Sequence, residues 1–418
     1  MPAKMNPFEV KTKAPDRYFM DWQKIYPKPY DKNEVDPYTR LRIILMNGTE
    51  YEATWFSHQF HRHCTNNDIR RELAVIRRTE QQQQKRIACL KPIDESILET
   101  TIGYEQLAVD LTAILAQREP DTYVKQVMDL ALLEDFDHLY RYADLLELER
   151  GIHAERLVGS YTEIMPGRPT IAEHRHPRDS VRRAICCRTA APITKLNAAI
   201  ITAAEQQTMN YYMNIGCFYD SDLGRRLYQE IAMIEEQHVT QYGALLDPSC
   251  TWLENLLMHE YTECYLYWSC VEDESDPAVK RIWEQHFEQE VSHLHAAEEL
   301  LKIYEGKEAA ELIPDGTFPE LLKFAPQKAY VRKVLRHTAA NTAVGEDPAV
   351  ALSTLPKDSD FAAYQHAVCP DAARVASHQV IGETIGCHGR DYRFEEKPHP
   401  VEELRDHTQD NITFARPV

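Results

Sequence analysis

The chain has 418 residues and a formal net charge of −19 at pH 7. Because nucleic acids and anionic membrane surfaces would repel so acidic a chain, neither is expected as a partner. The N-terminal segment contains no signal-peptide core, and no stretch reaches the ~20 uninterrupted apolar residues of a membrane span. Composition and charge therefore predict a cytoplasmic protein that attracts cations.

The N-terminal segment, residues 1–65, is rich in proline and aromatic residues. Within it, residues 40–56 read RLRIILMNGTEYEATWF. Asn47 and Gly48 suit a type I′ turn between two alternating strands, so this stretch predicts a small β-hairpin. We expect the segment to be an accessory to the rest of the chain.

The centre of the chain has the composition of long helices, with capping and helix-breaking residues between them. Residues 66–92 begin with an Asn-Asp capping signal and continue in strong helix formers, which predicts one helix. Six further helical stretches are expected up to residue 306, with breaks near Pro120, through residues 151–187, near Asp220, at Pro248 and at Pro277. The pattern therefore predicts a helical domain over residues 66–306 that contains three helical hairpins.

Residues 307–418 form the third predicted segment, a C-terminal extension. One clear helix, QKAYVRKVLRHT, is expected near its start, and the rest is predicted to be irregular with short helices. The predicted fold class is therefore mainly α, with a small N-terminal β-hairpin and an irregular C-terminal tail.

One constellation of residues recurs along the helical segment. The sequence DFDHLYRYADLL at residues 135–146 matches EEQHVTQYGALL at residues 235–246, with the acid, histidine, tyrosine and leucine pair in register. A weaker copy starts at residue 290, and in every copy another glutamate stands thirty residues before the acid. The three sets are Glu105, Asp135 and His138; Glu205, Glu235 and His238; and Glu260, Glu290 and His293.

This spacing has a geometric meaning. Residues three apart lie on one face of a helix, so each acid-x-x-His sequence directs a carboxylate and an imidazole towards the same point. A turn near the middle of the thirty-residue interval makes the two helices antiparallel, so the first glutamate lies level with the acid and the histidine of the second helix. Two such hairpins packed face to face would therefore place four carboxylates and two imidazoles around one point.

The repetition favours a metal site over a solvated surface. A single acid-x-x-His on an acidic helix is common on protein surfaces, but three copies at a constant offset are not expected from surface chemistry. Apolar and aromatic residues also flank the acids, which indicates an inward-facing direction. Carboxylate and imidazole ligands suit iron or manganese, and the ten cysteines form no Cys-x-x-Cys module that would supply thiolates.

At these residues the chain resembles the ferritin-like di-iron carboxylate superfamily, in which a Glu helix pairs with a Glu-x-x-His helix twice over. The resemblance covers mainly residues 95–250. It implies a four-helix bundle extended by one further hairpin, with two iron ions, or manganese ions, as the cofactor. The implied ligands are Glu105, Asp135, His138, Glu205, Glu235 and His238. Asp135 departs from the family's glutamate, and the neighbouring Glu134 or a water molecule could compensate for its shorter reach.

The order of the hairpins leaves a second arrangement open. The ferritin-like topology needs a long crossover between its halves, and residues 151–187 can span that distance. The tight turn at Asp247 and Pro248, however, also leaves the ligands of the third hairpin level with those of the middle one. A bundle built from the second and third hairpins therefore remains an alternative, and only the middle hairpin belongs to both arrangements.

The resemblance implies an oxidase- or peroxidase-type reaction with dioxygen or peroxide. Rubrerythrin-like peroxidases are similar in their repeated halves, but this chain has no rubredoxin module, so electrons would come from a separate donor. The alternatives are a ferroxidase or iron-handling protein, an oxygenase acting on a small organic substrate, and a metal-free scaffold that binds a partner. We also expect a homodimer, although the sequence leaves the oligomeric state open.

Overall fold

A computed structural model describes residues 5–172, 174–342, 349–393 and 396–416. Within these ranges the chain is mainly α-helical, as the sequence predicts, and one pair of antiparallel strands joins β1 (Asn341–Thr342) to β2 (Val350–Ala351). The helices are α1 (Pro37–His63), α2 (Asn67–Ala88), α3 (Ile97–Arg118), α4 (Thr122–Arg150), α5 (Glu155–Val158), α6 (Pro192–Ile215), α7 (Asp222–Leu245), α8 (Trp252–Asp273), α9 (Pro277–Glu305), α10 (Lys328–Thr338), α11 (Asp360–Val368) and α12 (Ala376–His388).

Most of the predicted helices are confirmed. The helix expected over residues 66–92 is α2, which Asn66 caps by accepting hydrogen bonds from two backbone amides. The six long helices expected up to residue 306 are α3, α4, α6, α7, α8 and α9. Beyond them, the predicted helix near the start of the C-terminal extension is α10, and α11 and α12 are the short helices that follow it.

The predicted N-terminal β-hairpin is wrong, because residues 40–56 lie inside α1. Asp36 caps this helix by accepting hydrogen bonds from the amides of Tyr38 and Thr39. Residues 38–46 are buried on every side of the helix. A continuous buried run does not distinguish a strand from a helix by its period, which explains the error.

Gly48 serves a close helix contact rather than a turn. A Cβ atom at this position would lie 2.5 Å from Nε2 of Gln207. That Nε2 donates a hydrogen bond of 2.8 Å to the carbonyl oxygen of Ile44, and Asn47 donates one of 2.7 Å to Oε1 of Gln207. Asn47 and Gly48 therefore accommodate a side chain of α6 on the surface of α1, a role that resembles a turn signal when only the sequence is visible.

Contacts divide the chain into two compact units that are interleaved along the sequence. The first unit comprises Met1–Glu95, Ala184–Gln207 and Leu246–Phe324, and the second comprises Ser96–Arg183, Thr208–Leu245 and Ala325–Val418. These boundaries differ from the three consecutive segments expected from the sequence, 1–65, 66–306 and 307–418, and that division into domains stays a prediction. The boundary between residues 207 and 208 falls within α6.

In the first unit, four long helices enclose one core. α1 packs against α2 and α8, and α9 packs against the same two helices. The α8–α9 hairpin begins at a capping box, in which Thr251 and Glu254 each accept a hydrogen bond from the other's backbone amide. The four helices therefore form a closed arrangement whose interior includes several buried acidic side chains.

In the second unit, α4 is the central helix. It packs against α3, α7, α10 and α12, so the C-terminal extension contributes to the same core. Buried apolar residues from these helices form one cluster, among them Phe136, Leu139, Ile231, Leu335 and Val380. None of the helices that the structure describes is both long enough and apolar enough to cross a membrane.

The capping box at the start of α3 gives a first testable prediction. Ser96 accepts a hydrogen bond from the amide of Glu99, and Glu99 accepts one of 2.7 Å from the amide of Ser96. Replacing Ser96 by alanine should lower the free energy of unfolding of the second unit by about 1 kcal/mol, because helix amides lose their acceptor. Urea unfolding followed by circular dichroism measures the change, with the exposed Ser353→Ala as the control. Equal midpoints for the two variants would show that the cap does not stabilise the unit.

Candidate metal centre

Three helices of the second unit bring five of the predicted ligands together. α3 carries Glu105, α4 carries Asp135 and His138, and α7 carries Glu235 and His238. All five side chains are completely buried. α7 of the middle hairpin is therefore grouped with the first hairpin.

The ligand atoms form two groups that share one glutamate. Atoms of Glu105, His138 and Glu235 lie within 4.8 Å of one another, and atoms of Asp135, Glu235 and His238 do the same. Glu235 Oε1 lies 3.0 Å from Nδ1 of His138, and Glu235 Oε2 lies 3.4 Å from Nδ1 of His238. Glu235 thus offers one oxygen to each group, as a carboxylate that bridges two cations would.

The other two carboxylates each lie beside one of the two histidines. Nδ1 of His138 is 3.9 Å from Oε2 of Glu105, and Nδ1 of His238 is 3.2 Å from Oδ1 of Asp135. The two imidazole rings are 6.1 Å apart between their centroids. Within the second unit, each group therefore combines two carboxylates with one imidazole.

The charges of the cluster depend on one another. Burial raises the pKa of Asp135, although the charge of His238 opposes this effect. Burial by itself would raise the pKa of Glu235, but the hydrogen bond with His138 and the charge of both histidines outweigh this effect and lower its pKa to about 2. Burial disfavours the charged form of His238, yet the carboxylates of Glu134 and Asp135 raise its pKa well above the usual value. The carboxylates thus require positive charge nearby, which protonated imidazole or a bound cation can supply.

Several buried atoms of the cluster make no hydrogen bond with the described part of the chain. They are both oxygens of Asp135, Oε2 of Glu235 and Nε2 of His138. Leaving a buried polar atom without a partner costs free energy, so such atoms are uncommon in native interiors. Carboxylate oxygens and imidazole nitrogens are also the ligands that iron and manganese accept. The residues present therefore fit a metal site.

Glu134 lies beside the candidate ligands, and its predicted compensation for the shorter reach of Asp135 stays a prediction. It makes a hydrogen bond to Nε2 of His238, and its other oxygen accepts a 2.9 Å hydrogen bond from the buried guanidinium of Arg175. Such a carboxylate fixes the orientation of a ligating imidazole. The structure therefore places Glu134 in contact with a candidate ligand, with part of its charge compensated by Arg175.

A group of tyrosines lies next to Glu105. The hydroxyl of Tyr212 donates a hydrogen bond to Oε1 of Glu105. The ring of Tyr212 is 5.3 Å from that of Tyr142 and 5.5 Å from that of Tyr228, between centroids, and Tyr219 lies 5.2 Å beyond Tyr228. Burial raises the pKa of Tyr142, Tyr212 and Tyr228 well above the usual value, so these phenols stay protonated.

Glu205, the sixth ligand implied by the resemblance, lies on α6 in the part of this helix that belongs to the first unit. It is 1% exposed and stands two helical turns before Tyr212. Residues seven apart share one face of a helix, so Glu205 and Tyr212 project from the same side of α6. Its role as a ligand stays a prediction.

The ligands predicted on the third hairpin belong to the first unit. Glu260 lies on α8, and Glu290 and His293 lie on α9. They are grouped with acidic residues that the sequence analysis missed, in the sets Glu80, Glu260 and His293, and Glu260, Glu263 and Glu290. All of these side chains are buried.

One signal could have found part of the missed set. Glu50 stands thirty residues before Glu80, the same interval as in the other copies, and Gln83 occupies the position of the histidine. The sequence analysis missed this copy because it assigned Glu50 to a β-strand, and a strand cannot form the first helix of a helical hairpin.

A cavity of about 610 Å³ lies beside the cluster within the second unit. Its lining includes Tyr212, Ala232, Arg225 and Met233. Ala232 stands one helical turn before Glu235, and Tyr212 contacts Glu105 through its hydroxyl. The cavity therefore shares one lining residue, Tyr212, with the surroundings of Glu105, and its size is within the usual range for small-molecule sites.

Comparisons of the chain with protein-family models, curated proteins and solved structures find no match in any of the three. The functional assignment therefore rests on the residues and their geometry.

Proposed function

We propose that the second unit binds two iron or manganese ions, and that the protein is a ferritin-like oxidoreductase that reacts with dioxygen or peroxide. The observation that carries the proposal is the pair of ligand groups that share Glu235 at the centre of a fully buried cluster. The proposed ligands are Glu105, Asp135, His138, Glu205, Glu235 and His238. Glu205 is part of this set because the resemblance implies it, and it lies on the same face of α6 as Tyr212.

The ligand chemistry supports iron or manganese over other common metals. The five grouped side chains provide carboxylate and imidazole but no thiolate, which disfavours a structural zinc or iron–sulfur site. A repeated Glu helix and acid-x-x-His helix is the pattern of ferritin-like di-iron proteins. With two ferrous ions bound, such a centre can supply two electrons to peroxide, giving two water molecules with two protons, or to dioxygen, giving peroxide.

The protein's own residues would control this reaction. Their complete burial excludes bulk water from the ligands, and Glu134 orients His238 through a hydrogen bond. The hydroxyl of Tyr212 fixes one oxygen of Glu105 and leaves the other to face His138. A separate electron donor and a homodimer remain parts of the proposal.

Anaerobic loading with ferrous iron tests the proposal. The loaded protein should convert its iron to the ferric state on addition of dioxygen or hydrogen peroxide, and should develop the near-ultraviolet band of an oxidised di-iron centre. The band should disappear on reduction and return on reoxidation, because the ions stay bound through the cycle.

Two controls define the result. Ferrous iron in buffer alone gives the background rate of oxidation, and zinc-loaded protein shows whether prior occupation of the ligands blocks the reaction. A chain that binds neither ferrous nor manganous ions would favour the metal-free scaffold instead. Bound iron that stays ferrous under both oxidants would refute the redox function while leaving metal binding intact.

An oxygenase acting on a small organic substrate is a second candidate, and the cavity beside Tyr212 is the observation that favours it. The lining of the cavity includes Arg225, Arg226 and Asp222, and Asp222 pairs with Arg226 at 3.1 Å. Arg225 therefore leaves a net positive charge in the lining, which favours an anionic compound over a cationic one. Dioxygen consumption that continues with a reductant alone supports the oxidase. Consumption that requires an added organic acid would support the oxygenase, and continuous ferric accumulation would indicate a ferroxidase.

A further inference from the structure

The first unit contains a second set of buried side chains that has the same organisation as the candidate centre. Its α1–α2 hairpin carries Glu50 and Glu80, thirty residues apart, and its α8–α9 hairpin carries Glu260 and Glu290 with the same spacing. His293 follows Glu290 by three residues, whereas Gln83 follows Glu80. The chain therefore contains four copies of the hairpin pattern, and two of them meet in the first unit.

The atoms of this set lie within ligand distance of one another. One group contains Glu80, Glu260 and His293, and another contains Glu260, Glu263 and Glu290, each within 4.8 Å. Nδ1 of His293 is 3.1 Å from Oε2 of Glu290 and 3.7 Å from Oε2 of Glu260. Glu260 is shared by both groups, as Glu235 is in the second unit.

A tyrosine contact provides a second similarity between the two sets, independent of the spacing of the ligands. Tyr267 stands seven residues after Glu260 and donates a hydrogen bond to Glu50, the glutamate of the other hairpin. On α6, Tyr212 stands seven residues after Glu205 and donates a hydrogen bond to Glu105. The repeated contact indicates that the two sets share one architecture down to the hydrogen bonds of their glutamates.

The first-unit set has a large excess of negative charge. Five carboxylates, from Glu50, Glu80, Glu260, Glu263 and Glu290, are buried with His293, and each is at most 1% exposed. Burial, followed by repulsion from neighbouring carboxylates, raises the pKa of Glu260 and Glu263 well above the usual value. The set has one imidazole for five carboxyl groups, and His293 lies beside Glu260 and Glu290, so a bound cation would relieve the repulsion between the carboxyl groups.

The strongest indication of a ligand comes from unpartnered oxygens inside the set. Both oxygens of Glu260 and both oxygens of Glu263 are buried and make no hydrogen bond with the described residues. Nε2 of His293 is also buried without a hydrogen-bond partner there. Four carboxylate oxygens left in this state in a protein interior are costly unless a cation binds them.

We propose that the first unit holds a second divalent-metal centre, formed by Glu50, Glu80, Glu260, Glu263, Glu290 and His293, which prefers manganese. Gln83 takes the position of the second histidine and donates a hydrogen bond to Glu290. The centre therefore has five carboxylates and one imidazole, and oxygen ligands suit the harder manganous ion. Because all six ligands and their unpartnered oxygens lie in the first unit, the inference does not depend on the proposed redox function.

Manganese content of the full chain tests this inference. After dialysis against Mn²⁺ and removal of free ions, the wild-type chain should retain about four ions, two per centre. Glu235→Ala and Glu260→Gln should each retain about two, and the double variant should retain almost none. Glu272→Gln replaces an exposed acid on the same helix as Glu260 and should match the wild type.

A thermal readout shows whether each variant still folds. Mn²⁺ should raise the melting temperature of Glu235→Ala, because a cation bound only to the folded chain stabilises it, and this rise should be lost in the double variant. Glu260→Gln replaces a buried carboxyl group that is crowded by other carboxyl groups, so the metal-free chain should melt at the same temperature as the wild type or higher. His293→Gln should reproduce the loss of manganese by removing the only imidazole of the set.

The outcomes separate the two centres. If Glu235→Ala removes all the manganese, the first unit holds no metal and the inference is wrong, whereas the second-unit site stands. If Glu260→Gln in the Glu235→Ala chain retains as much manganese as Glu272→Gln in that chain, the residues named for the first-unit centre are wrong. Loss of manganese from Glu260→Gln alone, with full retention in Glu235→Ala, would support this inference and contradict the proposed second-unit site.

Discussion

Replacing Glu235 by alanine is expected to release both of the metal ions proposed for the second unit and to lower their affinity by more than about 100-fold. Glu235 contributes one oxygen to each of the two ligand groups, so a single truncation removes a ligand from both positions. Oxidation of ferrous iron at this centre should be lost together with the ions. Metal analysis and the rate of ferrous iron oxidation measure the two effects.

The matched control is the adjacent residue. Glu236 is exposed on the outer side of α7, so Glu236→Ala removes the same charge from the same helix without touching the cluster. It should keep the metal content and the oxidation rate of the wild type. Circular dichroism should show the same helical content for both variants, because α7 keeps its apolar contacts. Equal metal content in Glu235→Ala and Glu236→Ala would show that Glu235 is not a bridging ligand.

Replacing Arg393 by methionine is expected to destabilise the second unit by about 3–5 kcal/mol, because it leaves a buried carboxylate without its cation. Arg393 and Asp144 are completely buried, and Nε of Arg393 donates a 2.6 Å hydrogen bond to Oδ1 of Asp144. Nη1 donates another of 2.8 Å to Glu155. This guanidinium therefore fastens the C-terminal extension to α4, and urea unfolding measures its contribution.

The loss should depend on pH. Burial raises the pKa of Asp144 to about 7, although Arg393 opposes the rise. A carboxyl group whose pKa is higher in the folded chain than in the unfolded one loses stability as pH rises between the two values. Without Arg393 the folded pKa of Asp144 should rise further, so Arg393→Met should be less damaging at pH 5 than at pH 8.

Two further variants test the cause. Arg390→Met removes an exposed guanidinium from the same segment and should change the free energy of unfolding by less than about 0.5 kcal/mol. Asp144→Asn in the Arg393→Met chain should restore part of the stability, because the stranded charge is gone. A loss that is the same at both pH values and is not reduced by Asp144→Asn would mean that Arg393 acts through packing alone.

Helical hairpins and their ligand spacing were largely predictable because they depend on local geometry. Polar caps and proline residues mark the ends of α2, α3, α4 and α9, and the i and i+3 positions of a helix share a face whatever surrounds them. The positions of Asp135 and His138 on one face of α4 follow from this rule. The same rule places Glu235 and His238 together on α7.

α1 was missed because its burial and its contacts are not local. Residues 38–46 are enclosed on all sides, so their apolar run carries no helical period. Gly48 is required by the side chain of Gln207, which is distant in the sequence. Once α1 was misassigned, Glu50 could not be matched with Glu80, and the glutamines from residue 81 to residue 84 gave no sign of a ligand position.

The sequence by itself determined that this is a mainly helical chain and that acids and histidines recur with the spacing of a metal site, because helix geometry converts spacing into direction. Only the tertiary structure decided which hairpins share a cluster. The pairing of Glu50 with Tyr267 joins residues 217 positions apart, and such contacts depend on packing that no local pattern specifies. For the same reason, only the folded chain revealed that the third hairpin joins α1 and α2 in a second buried set of carboxylates rather than adding to the first.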